Sequence, residues 1–286
     1  MDKIPVGKTI SYAYNFAFGN LGTIIGLVWL PLVILTLLNF LPSLAGGGAD
    51  ALNQPAPKFS EGIGSLAVFL LSALLYAMIY TAVTRQALGL RQGTATIHFS
   101  LGMPEFRMFG AVLLLIALAF VLLTTYAGAL TLFVATGNPA LQIAAVLFAL
   151  VGGCALVYAL VRFSFLLIPV TAAEDHVSLA RSWILTAGNF WRIFAVVLAV
   201  ALPIYVIFGA GVFALVGKDL LAPVPAAIAN NEASLVQHQM EIFSKYGPEL
   251  IGLNLILQPF SLGLNLGASA FAYRVLARAA GTTRPS

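Results

Sequence analysis

The sequence predicts an all-α, polytopic integral membrane protein with six transmembrane helices arranged as three hairpins with short interfacial amphipathic helices. Of 286 residues, 60% are hydrophobic and only 8% are charged, and the mean hydropathy is +0.99. A water-soluble domain has about a quarter of its residues charged, and a disordered chain is poor in apolar residues. Long charge-free intervals and a one-sided distribution of basic residues point the same way. A soluble enzyme and a disordered chain are therefore excluded.

The six spans occupy the charge-free intervals. A helix needs ~20 apolar residues to cross a bilayer, and the run 108–161 is long enough for two, divided by the turn signal Gly137-Asn138-Pro139. The runs lack the alternation of barrel strands, so helices are expected. The first run is too long for the roughly 7–15-residue core of a signal peptide, so it is expected to remain as a span. The predicted spans are Leu21–Leu44, 62–84, 108–136, 141–161, 193–217 and 250–273.

Basic residues give the orientation. Six spans put both termini on one side, and 11 of the 14 Lys and Arg residues fall there. The excess of Lys and Arg marks the cytoplasmic side, so the N- and C-termini are predicted to be cytoplasmic. The opposite side carries Lys58, Lys218 and Lys245 alone.

The chain is read as one membrane domain, 1–286, containing three pseudo-repeat units at 5–88, 99–171 and 177–276. Each unit has an amphipathic stretch, an outgoing helix and a helix that returns to Arg85, Arg162 or Arg274. The weak identity between units leaves open that this is the ordinary rhythm of helical hairpins.

Two stretches, 6–18 and 177–190, are predicted to form short helices at the interface. In the second, apolar residues recur at helical spacing, and Ser178 or Asp175 is expected to cap its start. The periplasmic loop 218–248 is the one sizeable extramembrane segment expected, with helical composition over 226–246. It is expected to lie on the bundle, shield a cavity or contact a partner.

The sixth span carries a stripe of polar side chains. Their spacing of 4, 3, 4 and 4 residues places them on one helix face. Polar groups in hydrocarbon need partners, so this face is expected to meet the bundle or a wet cavity. Two interpretations stay open, namely hydrogen bonding between helices and the lining of a lipid or solute path. Pro259 and the Gly263-x-x-x-Gly267 motif predict a kink and close helix packing. The stripe comprises Asn254, Gln258, Ser261, Asn265 and Ser269.

Charged residues at the cytoplasmic edge form a second candidate site. Apolar residues continue beyond Arg162, so its guanidinium is expected to reach lipid phosphates or a carboxylate of Glu105, Glu174 or Asp175. Arg181 and Arg192 are placed near lipid headgroups. The candidate headgroup or ion-pair residues are therefore Arg162, Glu174, Arg181 and Arg192.

Catalytic and metal-binding patterns are not found in the sequence. The three histidines, His98, His176 and His238, are isolated, and Cys154 is the one cysteine. No phosphate-binding loop, nucleophile elbow or zinc-peptidase motif occurs. We therefore expect no enzyme activity, no cofactor, no metal and no nucleic-acid partner.

The segment 162–192 carries a distinctive run, Ala180-Arg181-Ser182-Trp183-x-Leu185-Thr186-x-Gly188-Asn189-Phe190-Trp191-Arg192, after Arg162, Pro169 and Glu174. It resembles the signature of the bacterial glycerophosphodiester phosphodiesterase membrane-domain-like family, over roughly 140–215. The resemblance implies six helices, a bacterial inner membrane and an amphipathic helix bearing the motif. The clustered His and Glu residues of the phosphodiesterase domain are missing, so its activity is not expected here. The residues of the motif singled out are Ser182, Trp183, Gly188, Asn189 and Trp191.

These observations give three functional expectations. The first is a non-enzymatic inner-membrane protein that organises envelope components or contacts lipids, with membrane lipids, a membrane-protein partner or a second copy of the chain as partners. The alternative is a transporter or a lipid or solute conduit lined by the polar stripe. The third, given least weight, is a lipid-modifying enzyme using Glu174, Asp175 and His176.

Overall fold

The computed structural model describes residues 3–44, 59–91, 101–135, 139–222 and 232–281, and the regular elements within these ranges are all helices. The predicted turn at 137–138 and His98 lie outside them. In chain order, the helices are α1 (Val6–Gly19), α2 (Leu21–Leu44), α3 (Phe59–Leu88), α4 (Met103–Ala135), α5 (Pro139–Glu174), α6 (Leu179–Leu185), α7 (Phe190–Leu220), α8 (Glu232–Lys245) and α9 (Gly247–Ala279).

Six of these helices are long and apolar enough to cross a membrane, which confirms the predicted all-α polytopic fold. They are α2, α3, α4, α5, α7 and α9, and all but α2 extend beyond the predicted spans. At 1.5 Å per residue, a helix of 33 residues such as α9 is about 50 Å long, against ~30 Å of hydrocarbon. The helix ends therefore extend beyond the apolar layer, where the basic residues lie.

The first helices, α1 and α2, run along α9 and are separated at Asn20. Ile4 packs with Leu276 and Ala277 near the end of α9, so the first and last described residues lie at one end of the bundle, which we call the terminal end. Further along, a Cβ on Gly263 would lie 2.9 Å from Ile24 Cδ1 and 3.1 Å from Ala17 Cβ. Glycine at this position allows α1 and α9 to approach closely, as the small-residue motif predicts.

The core is centred on α3, which contacts α2, α4, α5 and α9. Met78, Ile79 and Val83 of α3 are fully buried against Leu167 of α5 and Leu266 of α9. The α4–α5 hairpin is far less enclosed, since only 6% of the most apolar part of α5 is buried. That hairpin presents most of its surface to the surroundings, which in a membrane are apolar.

The predicted interfacial helix 177–190 is shorter in the structure. Helix α6 ends at Leu185, and α7 begins at Phe190. Between them, Gly188 has a φ of +72°, a conformation that glycine adopts at little cost. At the start of α6, the Ser178 side chain accepts a hydrogen bond from the Arg181 backbone N–H, so Ser178 is the cap and Asp175 is not.

The segment 218–248 contains a helix, as its composition predicts, although residues 223–231 lie outside the described ranges. Helix α8 rests on α7, with Ile242 buried. Lys245 Nζ donates to Asp219 Oδ2 at 2.7 Å, and the Tyr246 hydroxyl donates to the same oxygen at 3.1 Å. These two bonds join the end of α8, and Tyr246 just before α9, to the end of α7.

Candidate functional site

The polar stripe lies on one face of α9, and its two halves have different surroundings. Toward the terminal end, Asn265 Nδ2 donates to the Ser261 carbonyl at 2.9 Å, and Ser269 Oγ donates to the Leu266 carbonyl at 3.2 Å. Both side chains are therefore satisfied by their own helix. Within the described ranges, no residue of the stripe hydrogen-bonds to another helix. The interpretation that the stripe serves hydrogen bonding between helices therefore receives no support.

Toward the other end of α9, Asn254 and Gln258 face two cavities. The structure shows no hydrogen bond from either side-chain amide to the described residues. The first cavity has a volume of about 390 Å³ and is lined by Leu32, Leu35, Thr36, Tyr76, Ile251, Asn254, Leu255 and Gln258. The second has a volume of about 400 Å³ and is lined by Val197, Ala201, Ile204, Tyr205, Phe208, Asn254, Leu257, Gln258, Ser261 and Asn265.

The two cavities share Asn254 and Gln258, so they lie on either side of this edge of α9. Helices α2 and α3 bound the first, and α7 bounds the second. We call the two cavities together the α9 groove. Its floor is polar, its walls are mainly aliphatic and aromatic, and no Asp, Glu, Lys or Arg of the described ranges lines it.

The groove is closed toward the terminal end by α1. Ala13 and Ala17 pack with Val196 and Val200 of α7 and with α9. The Tyr14 hydroxyl donates to the Ala199 carbonyl of α7 at 3.3 Å. The groove therefore does not pass through the bundle in this conformation.

A backbone acceptor adds to the floor of the first cavity. Pro259 lies inside α9 and has no N–H, so the Leu255 carbonyl lacks its usual partner four residues later. Leu255 also lines the cavity. The polar stripe and the carbonyl freed from its usual partner by the proline thus lie at the same place.

Sequence reasoning missed the groove residues that come from other helices. Tyr76 of α3 and Tyr205 of α7 line the first and second cavity, respectively. Neither hydroxyl has a hydrogen-bond partner in the part of the chain that the structure describes. A tyrosine inside an apolar span, away from the interface where tyrosine is usually enriched, is the available signal.

Arg162 is buried and is held by uncharged groups instead of the predicted carboxylates. Its Nε donates to Thr186 Oγ1 at 3.2 Å, and its Nη1 donates to the Tyr158 hydroxyl at 2.8 Å. Its Nη2 donates to the Trp183 carbonyl. The Trp183 ring lies 3.7 Å from the guanidinium carbon, a favourable cation–π arrangement. These contacts keep the charge of Arg162 inside the protein rather than at lipid phosphates.

Ser182 and Thr186 bind α6 to α5. Both residues are fully buried. Ser182 Oγ lies 3.0 Å from the carbonyl oxygens of Arg162 and Phe163, to which it donates, and the Trp183 ring stacks on Phe163. The Ser-Trp pair of the motif therefore anchors a short helix around one buried arginine.

Glu174 forms a separate cluster with residues of α6 and α9. Its Oε1 accepts hydrogen bonds from Arg181 Nε at 3.1 Å and from the Tyr273 hydroxyl at 3.0 Å. His176 is largely exposed, with Nε2 at 3.9 Å from Glu174. The next carboxylate, Asp175, pairs with Arg107 at 3.1 Å. The two carboxylates thus join α5 to α4, α6 and α9.

The remaining motif residues hold the start of the described chain. Asn189 Oδ1 accepts a hydrogen bond from the Ile4 backbone N–H at 3.0 Å, and Arg192 Nη1 donates to the Ile4 carbonyl at 3.0 Å. Gly188 forms the turn before them. Trp191 is different, since its side chain is 76% exposed and takes no part in these hydrogen bonds to Ile4.

A larger cavity lies between α5 and α7, with a volume of about 680 Å³. Its lining is almost entirely apolar. Tyr158, its main polar residue, is already bonded to Arg162. It is lined by Ala149, Leu150, Gly153, Cys154, Ala155, Val157, Tyr158, Phe190, Trp191 and Phe194.

Among the described residues, His, Cys, Asp and Glu side chains do not gather in threes as a metal site would need. Comparisons with protein-family models, with curated proteins and with solved structures give no match.

Proposed function

We propose that this chain is a non-enzymatic, multi-pass protein of the bacterial inner membrane that binds a membrane amphiphile in the α9 groove. One observation carries the proposal, namely the two unpaired amides of Asn254 and Gln258 at the shared edge of two cavities. Transfer of an amide from water to an apolar medium without a compensating hydrogen bond costs roughly 2–7 kcal/mol of free energy. Water would form these hydrogen bonds in the empty groove. A ligand with polar atoms would displace that water and form them instead.

The walls of the groove favour an amphiphile over a small polar solute. Leu32 and Leu35 on one side and Ile204 and Phe208 on the other provide apolar surface beside the polar floor. Ligand sites commonly combine mainly apolar walls with a few polar groups that orient the ligand. A molecule with an oxygen-rich group and hydrocarbon chains complements both surfaces.

The α5–α7 cavity supports a different and less specific occupancy. It is larger than either cavity of the α9 groove taken alone, but no side-chain amide is among the described residues that line it. Bulk lipid chains satisfy such a surface without recognition. The α9 groove, with its polar floor, is therefore the better candidate for a selective site.

In the proposed orientation the terminal end is cytoplasmic, following the distribution of Lys and Arg. Asn254 and Gln258 then lie about 10 Å and about 17 Å along α9 from Gly247, at a rise of 1.5 Å per residue. The groove would thus open in the outer half of the membrane. A ligand would enter from the outer leaflet.

Native mass spectrometry tests the proposal. The protein is released from mild detergent, and the bound small molecules are compared among three proteins. We expect the wild type and a Gln86→Leu control at the terminal end to retain an amphiphile that the Asn254→Leu/Gln258→Leu variant loses. Equal retention by all three, with unchanged melting temperatures, contradicts the proposal.

A second candidate function is assembly with another membrane protein or a second copy of this chain. The low burial of α5, 6% over its most apolar stretch, favours it. Cross-linking in cells through cysteines at Leu147 and Val151, both on the exposed side of α5, tests this. Adducts of defined mass at these positions would support assembly, and monomers alone would remove its motivation.

A further inference from the structure

Building on the proposed amphiphile site, we infer that the polar part of the ligand is uncharged and carries hydroxyl and carbonyl oxygens, as in a diacylglycerol. The groove binds through amides and hydroxyls, and the part of the chain that the structure describes offers it no ion partner. Its ligand class would therefore differ from that of the anionic and zwitterionic phospholipids.

The absence of charge in the lining is the first step of the argument. None of the described residues that line the two cavities is acidic or basic. A phosphate taken from water needs charge-assisted hydrogen bonds, usually from Arg or Lys, to offset its desolvation. Along α9, the nearest charged residues on either side are Glu249 and Arg274, and neither lines a cavity.

The hydrogen-bonding groups of the groove match an oxygen-rich neutral group. Each side-chain amide, at Asn254 and Gln258, presents two N–H donors and one carbonyl acceptor. The amide N–H groups suit ester carbonyls. The amide oxygens and the Leu255 carbonyl suit a ligand hydroxyl. Tyr76 lines the first cavity and Tyr205 the second, and each side chain carries a hydroxyl.

Selectivity follows from the penalty for an unmatched charge. A neutral glycerol hydroxyl can exchange its bonds to water for bonds to amides with little net cost. A phosphodiester at the same place would keep its charge without a cation beside it. A difference of about 1.4 kcal/mol already gives tenfold selectivity, and an unpaired charge costs more than that.

The experiment uses the full-length protein in nanodiscs of phosphatidylcholine. Two photoreactive probes with identical acyl chains are compared at equal mole fraction, one a diacylglycerol and the other a phosphatidylglycerol. Labelling is mapped by peptide mass spectrometry to the groove segments of α2, α7 and α9. We expect at least about tenfold more groove labelling by the diacylglycerol probe, reduced by Gln258→Leu and unchanged by Gln86→Leu.

A charge-introducing variant separates the ligand class from the existence of the site. Gln258→Lys supplies the missing cation, so we expect it to shift groove labelling toward phosphatidylglycerol, while Gln86→Lys does not. If phosphatidylglycerol labels the wild-type groove as well as diacylglycerol does, in a Gln258-dependent manner, the site stands and the uncharged ligand class is wrong. If neither probe labels the groove above the level of the α4–α5 hairpin, the proposed function itself fails.

Discussion

The Tyr14 hydroxyl provides the hydrogen bond that Pro203 removes from helix α7. Proline at 203 has no N–H for the Ala199 carbonyl four residues earlier, and Tyr14 of α1 donates to that carbonyl at 3.3 Å. The backbone hydrogen bond missing from transmembrane helix α7 is thus replaced by a hydrogen bond from a side chain of α1. The bond also fixes α1 across the closed end of the α9 groove.

This relationship predicts that Tyr14→Phe destabilises the protein by about 1 kcal/mol, because a partly buried carbonyl is left without a donor. Pro203→Ala restores a backbone N–H within α7. The loss caused by Tyr14→Phe should therefore shrink in the Pro203→Ala background. Equilibrium unfolding of the wild type, the two single variants and the double variant in mixed micelles gives the coupling energy between Tyr14 and Pro203.

The control for this cycle is Tyr205→Phe, since Tyr205 lines the second cavity and its hydroxyl has no partner among the described residues. It should leave the ligand-free protein nearly unchanged. An equal effect of Tyr14→Phe with and without Pro203 would show that the hydroxyl does not serve the freed carbonyl.

Substitution by alanine should affect the stability of the protein differently at two glycines of α9, Gly263 and Gly252. Gly263→Ala puts a methyl group 2.9 Å from Ile24 Cδ1 and 3.3 Å from the Ala17 backbone, so it should cost about 1–3 kcal/mol through overpacking. Gly252→Ala meets nothing within 4 Å and should be neutral or stabilising by up to about 1 kcal/mol. Thermal unfolding in one detergent compares them, and a similar loss at both sites would contradict close packing of α1 on α9.

Two tryptophans eight residues apart provide a matched test of the Arg162 environment. Trp183 covers the guanidinium, with its ring 3.7 Å from the guanidinium carbon, whereas Trp191 is 76% exposed. Trp183→Leu should lower stability by about 2 kcal/mol through loss of a desolvated cation–π contact. Trp191→Leu should change it by less than about 0.5 kcal/mol. Urea unfolding followed by circular dichroism measures both, and equal losses would argue against the arrangement.

Helix α8 should loosen from the bundle at alkaline pH. The hydrogen bond to Asp219 raises the pKa of Lys245 above its ordinary value of 10.5. A group whose pKa is raised on folding stabilises the folded form below its unfolded pKa, and this contribution is lost as pH rises through the higher folded value. A spin label at Gln239 should therefore become mobile above pH 10.5.

The matched variant for this titration is Lys245→Met, in which the label should be mobile throughout. Lys218→Met retains the bond between Lys245 and Asp219 and should behave as the wild type. If label mobility in the wild type does not change on crossing this pH range, then the ion pair does not hold α8 in place.

The sequence was sufficient to predict the spans, because burial in lipid requires long apolar helices whatever their neighbours are. Spacing also placed the five polar residues of α9 on one face. Spacing alone did not reveal that Asn265 and Ser269 bond to their own helix, whereas Asn254 and Gln258 line cavities without a hydrogen bond to the described residues. That division depends on how α1, α2 and α7 pack around α9, which involves contacts distant in sequence.

The environment of Arg162 shows a second limit of sequence reasoning. Nearby carboxylates were the natural partners by sequence, but the turn after α5 folds α6 back over Arg162 and brings Trp183 and Thr186 to it. Glu174 instead reaches Arg181 and Tyr273. The early end of α6 likewise follows from the conformation of Gly188, which helical periodicity does not register.

The most direct test of the amphiphile site compares two positions in the same protein by site-specific photo-crosslinking in cells. A photoreactive amino acid replaces Tyr205 in the α9 groove or Val157 in the α5–α7 cavity, side chains that are 72% and 41% exposed. Mass spectrometry then identifies the lipids attached at each position. We expect an uncharged glycerolipid to dominate at position 205 and the bulk phospholipid mixture at position 157. The same bulk mixture at both positions would contradict selective binding in the α9 groove.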